Sequence, residues 1–367
     1  MYLSKVTPAD WKYEQTEPIA SGHLDVQSNG HQIYWAEYGN PDGEPVMCVH
    51  GGPGGGSDAY MARFFAPTRY KVLVFDQRGC GKSRPSASDD DARPALVGNT
   101  TTDLIEDMNK LRSHRGITGK MHLFGGSWGS TLSLAYAIAH PEHVSRLILR
   151  GIFLCRKKDL DFFYQGNAAV YENDPHDVSL PGSFQLYPEA WDDYVRVIPP
   201  EERHDMIRAY DTIFSREPRD EADLQYQIRA AQAWAGWEGR TSYLSLDASK
   251  PNHYEEATFA KAFARIENHY FINGAFLGGT GESNREQNFI LEHAERLKGI
   301  PIHIVHGRYD MVCPMFQAEE LVAALRKVGH TDVDYRRTPA GHSMLEKENC
   351  WALTDILDHL PSPVDTA

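Results

Sequence analysis

The stretch Gly125-Gly126-Ser127-Trp128-Gly129 decides the fold. It fits the pattern G-x-S-x-G, which places a serine on a sharp turn between a strand and a helix. The flanks agree with that context. Lys120-Met121-His122-Leu123-Phe124 before it is apolar and strand-like, and Ser130-Thr131-Leu132-Ser133-Leu134-Ala135-Tyr136-Ala137 after it is small-residue and helix-like. A serine so placed projects its hydroxyl clear of the sheet, and the small neighbours relieve the crowding of a strained backbone. The plain alternative is a glycine-rich turn with a capping serine. The strand before and the helix after favour a nucleophile.

A nucleophilic serine needs a base and an acid that orients it, following in the chain order acid, then histidine. Residues 302–307 read as a buried strand with Asp310 just beyond, and residues 333–337 read as the next strand with Gly341-His342-Ser343 after it. Loops after successive strands can bring both groups to one edge of a sheet. His342 would take the proton of Ser127, and Asp310 would hold the tautomer and stabilise the imidazolium. With 17 histidines in the chain, identity alone says little; position after the last strand singles out His342.

The apolar residues 45–49 run into His50-Gly51-Gly52-Pro53-Gly54-Gly55-Gly56. This matches the HGGG-type loop that lends a backbone N–H to a tetrahedral intermediate, with the N–H of Trp128 as second donor. A flexible glycine linker is the alternative, opposed by the proline and the preceding strand. Gly81-Lys82-Ser83 ends like a phosphate-binding loop, but Asp76 stands where that pattern requires glycine, so residues 76–83 read as a tight structural loop. Asn99-Thr100-Thr101 is a glycosylation sequon that nothing else in the chain supports.

Working outward, strand-like segments at 31–38, 46–50, 71–76, 120–124 and 144–150 alternate with helical ones. Residues 102–112 are helical in pattern, with Leu104, Met108 and Leu111 at i, i+4 and i+7. Such alternation implies a mainly parallel central sheet with helices on both faces. From 154 to 290 strand signals vanish, and Phe162, Phe163, Tyr164, Trp191, Tyr194, Trp234, Trp237 and Tyr243 set the texture. The expected organisation is a core over 1–153, an inserted helical cap over 154–290 and a second part of the core over 291–367; 367 residues exceed what one core usually serves.

The net charge of −14 argues against nucleic acid and anionic membranes as partners. Five cysteines, an odd number, suit a reducing compartment. Residues 1–20 carry no leader pattern, and no run of 18 apolar residues exists, so a cytoplasmic chain is expected. No metal motif is visible, and neither metal nor cofactor is expected. Oligomeric state is not readable.

Eight stretches together resemble the proline iminopeptidase (prolyl aminopeptidase) family of α/β-hydrolases: HGGPGGG at 50–56, DQRGCGKS at 76–83, GGSWGSTLSLAYA at 125–137, LRGIF at 149–153, WAGWEG at 234–239, ENHYFIN at 267–273, GRYDMVCP at 307–314 and GHSMLE at 341–346. The likeness covers residues 20–347, and its most specific motifs lie in the cap. It departs at Thr102, where the family has NTTW, and at Lys82, where it has arginine. The resemblance implies an α/β-hydrolase fold and removal of N-terminal proline from peptides by serine acylation without a metal. It implies Ser127 as nucleophile, Asp310 as orienting acid, His342 as base, and Gly52 and Trp128 as oxyanion donors. It further implies Glu238 and Glu267 as the acids holding the free imino group, with Phe153, Phe271, Cys313 and Tyr164 around the pyrrolidine ring.

Physics supports that carry-over. A protonated secondary amine offers two N–H donors and a full charge, which a carboxylate pair in a poorly hydrated pocket would recognise. Read without the family, Glu238 and Glu267 are two of 51 acidic residues, and solvated or arginine-paired acids would explain them. Simple packing would equally explain Phe153 and Phe271, and a small buried hydrophobe would explain Cys313. The rival activity is a small-molecule esterase or amidase with the same triad, which has no use for the acid pair.

Overall fold

Strands that are apolar on both faces call for a sheet covered on both sides. The computed structural model has that form; it describes residues 10–26, 30–244, 253–279 and 281–361. Residues 1–9, part of the stretch read for a leader, lie outside the described residues, as do short pieces of 154–290 and 291–367. The strands are β1 (Ala20–Asp25), β2 (Gln32–Gly39), β3 (Glu44–Val49), β4 (Tyr70–Phe75), β5 (Met121–Ser127), β6 (Val144–Ile152), β7 (Ile302–Gly307) and β8 (Val333–Thr338). They form one sheet in the order β1-β2-β4-β3-β5-β6-β7-β8. β2 pairs antiparallel with β1 and β4; every later pairing is parallel. The edge strand β1 was not among the segments singled out by pattern. Its side chains alternate between half-buried and exposed, with few apolar residues to mark them.

The longer helices are α1 (Thr101–His114), α2 (Trp128–Ala139), α3 (Pro188–Val195), α4 (Met206–Phe214), α5 (Glu221–Thr241), α6 (Ala257–Ile272), α7 (Phe316–Lys327) and α8 (Lys347–His359). Alternation along the strands sorts side chains to two cores. Met47, Val49, Leu123, Leu149 and Ile304 pack on one face with Leu104, Met108 and Leu111 of α1, Leu132 of α2 and Leu321 of α7. Val46, Cys48, Phe124, Ile148 and Val305 pack on the other with Leu353, Ile356 and Leu357 of α8. α1 begins on a capping box, in which the Thr100 side chain accepts from Asp103 N and the Asp103 carboxylate accepts from Thr100 N. Asn99 beside it is buried and donates to Arg78 O and Ala95 O while accepting from Tyr270, so it cannot carry a glycan.

Between β6 and β7 the described residues form helices and turns, with no strand. Their aromatic residues interlock: Trp234 stacks on Tyr164 at 4.4 Å, Tyr194 stacks on Tyr210 at 5.1 Å, and Trp237 meets Trp191 edge-on at 5.1 Å. α6 rests on the core near the carboxyl ends of β3 and β5, where Tyr270 meets Trp128 edge-on at 4.9 Å and Ile266 abuts Gly54. The helical segment thus roofs the strand ends where loops of a parallel sheet gather functional groups. Among the described residues no helix is long and apolar enough to cross a membrane.

Candidate active site

β5 ends and α2 begins across Ser127, whose backbone stands at φ 58°, ψ −129°. A non-glycine residue holds such a conformation only where its surroundings impose it. The imposition is visible at both flanking glycines. A side chain at Gly125 would meet the carbonyl oxygen of Gly129, and one at Gly129 would meet that of Val49 on β3. Ser130 Oγ–H donates to Ser127 O at 2.7 Å and so fixes the first turn of α2. The Ser127 side chain faces a cavity of about 140 Å³ shared with Gly52, Arg150, Glu238 and His342.

Asp310, on the loop after β7, and His342, after β8, meet beneath that cavity. His342 Nδ1 lies 2.9 Å from Asp310 Oδ2 and 3.0 Å from Oδ1. Asp310 Oδ1 also accepts from the backbone N–H of Cys313 at 2.8 Å and of Val312 at 3.1 Å. Burial alone would raise the Asp310 carboxyl; His342, then His306 and the Cys313 N–H, outweigh it and hold it below the usual carboxylate range. Burial lowers His342, Asp310 opposes, and Arg150 lowers it further. Arg150 Nη1 lies 3.0 Å from His342 Nε2. A guanidinium only donates, so Nε2 accepts and the ring proton sits on Nδ1, facing Asp310. No hydrogen bond joins Ser127 Oγ to His342 here; the hydroxyl lies 3.9 Å from Cys313 Sγ instead. His306, another buried histidine of this region, is used by backbone: Nδ1 accepts from Ile152 N at 3.2 Å, and Nε2 donates to Cys313 O at 2.7 Å.

The glycine loop after β3 is braced by the loop after β4. Gln77 N donates to His50 Nε2 and Gln77 Nε2 donates to His50 O, both at 3.0 Å, while Trp128 Nε1 donates to Gln77 Oε1 at 2.8 Å. Asp76 accepts from Ser57 N and Oγ at 2.6 Å and from Lys82 N at 2.7 Å. Arg78 forms a buried two-pronged pair with Asp107 of α1 at 2.6 and 2.7 Å. The motif DQRGCGKS is therefore a brace linking the glycine loop, the turn at Ser127 and α1. Gly52 lines the cavity beside Ser127, and Trp128 is the first residue of α2, where backbone N–H groups lack helical partners.

Glu238 on α5 and Glu267 on α6 face each other across the roof, 6% and 0% exposed. Tyr164 Oη–H reaches Glu238 Oε2 at 3.2 Å and Glu267 Oε2 at 3.3 Å. Trp234 Nε1 donates to Glu267 Oε2 at 2.7 Å, and Glu267 Oε1 is buried with no partner. Among the described residues neither acid has an arginine, lysine or histidine within ion-pair distance, which disposes of solvated or arginine-paired acids. Burial pushes Glu238 up to about 7; burial and then Glu238 itself push Glu267 well up. Phe153 and Phe271 meet edge-on at 5.9 Å. With Tyr164, Cys313, Glu238 and Ser127 they line a second cavity of only about 10 Å³. Of the residues expected at the site, Ser127, Gly52, Glu238, His342, Phe153, Phe271, Tyr164 and Cys313 line the two cavities, while Asp310, Trp128 and Glu267 stand behind these lining residues. Arg150 and Trp234 were not foreseen as parts of it. The signal for Arg150 was a lone charge inside the apolar run Leu147-Ile148-Leu149-Arg150-Gly151-Ile152.

Among the described residues, His140, Glu142 and His143 are one further group with metal-ligand chemistry, at the far end of α2. Their imidazoles stack nearly parallel at 12°, so their lone pairs do not converge on one point.

Residues 44–348 match the family model described as alpha/beta hydrolase fold. The chain is 44% identical over 347 residues to the proline iminopeptidase of Xylella fastidiosa (strain 9a5c), covering 94% of this chain and 98% of that protein. It is 42% identical over 310 residues to the proline iminopeptidase of Arabidopsis thaliana, covering 84% and 72%. It is 40% identical over 349 residues to that of Neisseria gonorrhoeae, covering 95% and 98%. Among solved structures, VinJ superposes with TM-score 0.58 at 19% identity, covering 94% of this chain and 100% of that one. An alpha/beta fold family hydrolase from Bacillus anthracis str. Sterne superposes with TM-score 0.53 at 16% identity, covering 93% and 99%. These two likenesses speak for the fold alone.

Proposed function

The chain belongs to the proline iminopeptidase family of α/β hydrolases, and from that premise we propose that it is a serine exopeptidase releasing proline from the free N-terminus of peptides. The observation that carries the reading is the buried pair Glu238–Glu267, which among the described residues has no ion-pair partner; Glu238 opens on the cavities that hold Ser127, and Glu267 stands behind it, joined through Tyr164. A protonated secondary amine supplies the missing charge and two N–H donors. Phe153, Phe271, Tyr164 and Cys313 flank the ring. Their cavity of about 10 Å³ has room for about one water, so the pocket must widen to admit the ring.

The chemistry follows from the triad geometry. Arg150 leaves His342 Nε2, which then takes the proton of Ser127 as Oγ attacks the carbonyl carbon of the N-terminal residue. The N–H groups of Gly52 and Trp128 hold the oxyanion, and Asp310 stabilises the imidazolium. His342 passes the proton to the leaving amine, and the C–N bond breaks. Water, deprotonated by His342, then attacks the acyl carbon; the ester C–O bond to Ser127 breaks, His342 returns the proton to Oγ, and proline leaves. Residues 154–290 act as the cap that measures one residue from the amine. The protein works in the cytoplasm on peptides, without nucleic acid or membrane partners; five unpaired cysteines support a reducing compartment.

Digestion of a Pro-X-X peptide, followed by mass spectrometry, tests this. Proline alone should leave the amino end, and Ser127→Ala should abolish its release. Cleavage at internal bonds, or proline release by Ser127→Ala, would overturn the proposal.

A further inference from the structure

Two buried carboxylates and one phenol share a space that is short of positive charge. The Tyr164 hydroxyl has a single proton, so it serves Glu238 Oε2 or Glu267 Oε2 but not both. Glu267 Oε1 is buried and, among the described residues, takes no hydrogen bond from an N–H or hydroxyl donor. The groups facing the pair come from every packed element. Arg150 of β6 and Asp310 face Glu238. Tyr254 lies within electrostatic reach of both acids, Tyr194 and Cys155 within reach of Glu267, and Cys313 within reach of Glu238. His342 stands on the far wall of the shared cavity, neutral, with Nε2 accepting from Arg150. Among the described residues facing the pair, Arg150 is the one cation at neutral pH; Asp310 has its own hydrogen bonds, from neutral His342 and from the backbone N–H groups of Val312 and Cys313. Two ionised carboxylates beside one guanidinium would leave an unbalanced charge in a water-poor space, which is costly. Two touching acids relieve that cost by keeping a proton between them.

We propose that the free protein keeps one proton on the Glu238–Glu267 pair, with the Tyr164 hydroxyl standing where a ligand N–H will stand, and that a substrate's ammonium expels this proton to solvent as it binds. The inference deepens the aminopeptidase reading and rests on it. Charge balances: the ammonium brings +1, the pair passes from −1 to −2, and one H⁺ leaves. In the complex two cations, the ammonium and Arg150, face two carboxylates. Tyr164 lies in the π-helical turn Asp161–Gln165, the kind of irregular turn that recurs at functional sites. A neutral or N-blocked ligand brings no charge and leaves the proton in place.

Calorimetry tests this with L-prolinamide and the Ser127→Ala protein, which binds without turnover. Titrations at pH 6 in phosphate, imidazole and MES, whose ionisation enthalpies differ, count the protons exchanged. About one proton should be released per ligand, and the association constant should rise about tenfold from pH 5 to pH 6, as linkage to one proton requires. Adding Glu267→Gln should abolish the release; if that variant fails to fold, the slope in Ser127→Ala alone decides. Binding of prolinamide with no proton release and a flat pH dependence would overturn the inference while leaving the aminopeptidase reading intact. No binding, or equal binding of N-acetylprolinamide, would overturn the aminopeptidase reading itself.

Discussion

Replacing Glu238 by glutamine should damage function and improve stability together. Loss of a buried, charged hydrogen bond to a substrate amine costs roughly 2–5 kcal/mol, which at ~1.4 kcal/mol per decade lowers kcat/KM by about 30-fold to several thousand-fold. Glu238 is 6% exposed, so solvent screening discounts little of this. The stability effect has the opposite sign. A carboxyl pushed from an ordinary 4.5 up to about 7 contributes stability only while protonated. That contribution is whole below pH 4.5 and is lost as pH rises through about 7. The accumulated cost reaches roughly 1 kcal/mol at pH 5 and up to roughly 3 kcal/mol at pH 8, and glutamine, which never ionises, escapes it. The assay pairs kcat/KM on prolyl-2-naphthylamide and p-nitrophenyl acetate with thermal melts at pH 5 and pH 8. Glu238→Gln should lose amide activity, keep ester activity within about threefold, and melt higher than the parent at pH 8 by more than at pH 5. Equal loss on both substrates, or a lower Tm at pH 8, would refute the reasoning.

Other predictions concern the catalytic groups and the brace. Ser127→Ala and His342→Ala should each cost on the order of 10⁴-fold or more in kcat on either substrate, with the double variant little worse than one, because the two act as a unit; additive losses would contradict this. Asp310→Asn should fold yet lose on the order of 10⁴-fold in kcat through the wrong imidazole tautomer, and near-parental turnover would remove Asp310 from the mechanism. Arg150→Met removes a cation that lowers His342, so the acid limb of ester hydrolysis should move to higher pH; an unmoved limb in a folded variant would show the contact to be incidental. Asp107→Ala leaves Arg78 buried without its two-pronged partner and should cost about 3–5 kcal/mol in denaturant unfolding.

Much of this was legible in the chain because the chemistry sits on punctuation. The turn at Ser127 announces itself through Gly125 and Gly129, which the structure shows pressed against backbone on either side. Asp310 follows a strand marked by its apolar run, His342 follows the strand read over 333–337, and helix α1 carries its cap in Thr100 and Asp103. Strand limits at β2 and β3 moved by one or two residues, because hydrogen-bond ladders extend past the apolar stretch that signals them. β1 escaped notice because a half-exposed edge strand needs few apolar residues. The burial of Glu238 and Glu267 could not be read from pattern at all: acids on α5 and α6 look like solvent-facing charges until the helices are packed. Arg150 was hidden for the converse reason, since an arginine at the end of an apolar strand reads as the strand's exit to solvent. In the fold it turns inward to His342.

The most direct measurement compares kcat/KM on prolyl-2-naphthylamide with and without an N-acetyl group. Acetylation leaves the ring and the scissile bond alone and removes the charge that Glu238 and Glu267 await. The account predicts a loss of at least about 30-fold, matching the roughly 2 kcal/mol lower bound for the lost charged contact. Equal cleavage of the free and acetylated compounds would contradict it and make the protein an esterase or amidase of the same fold.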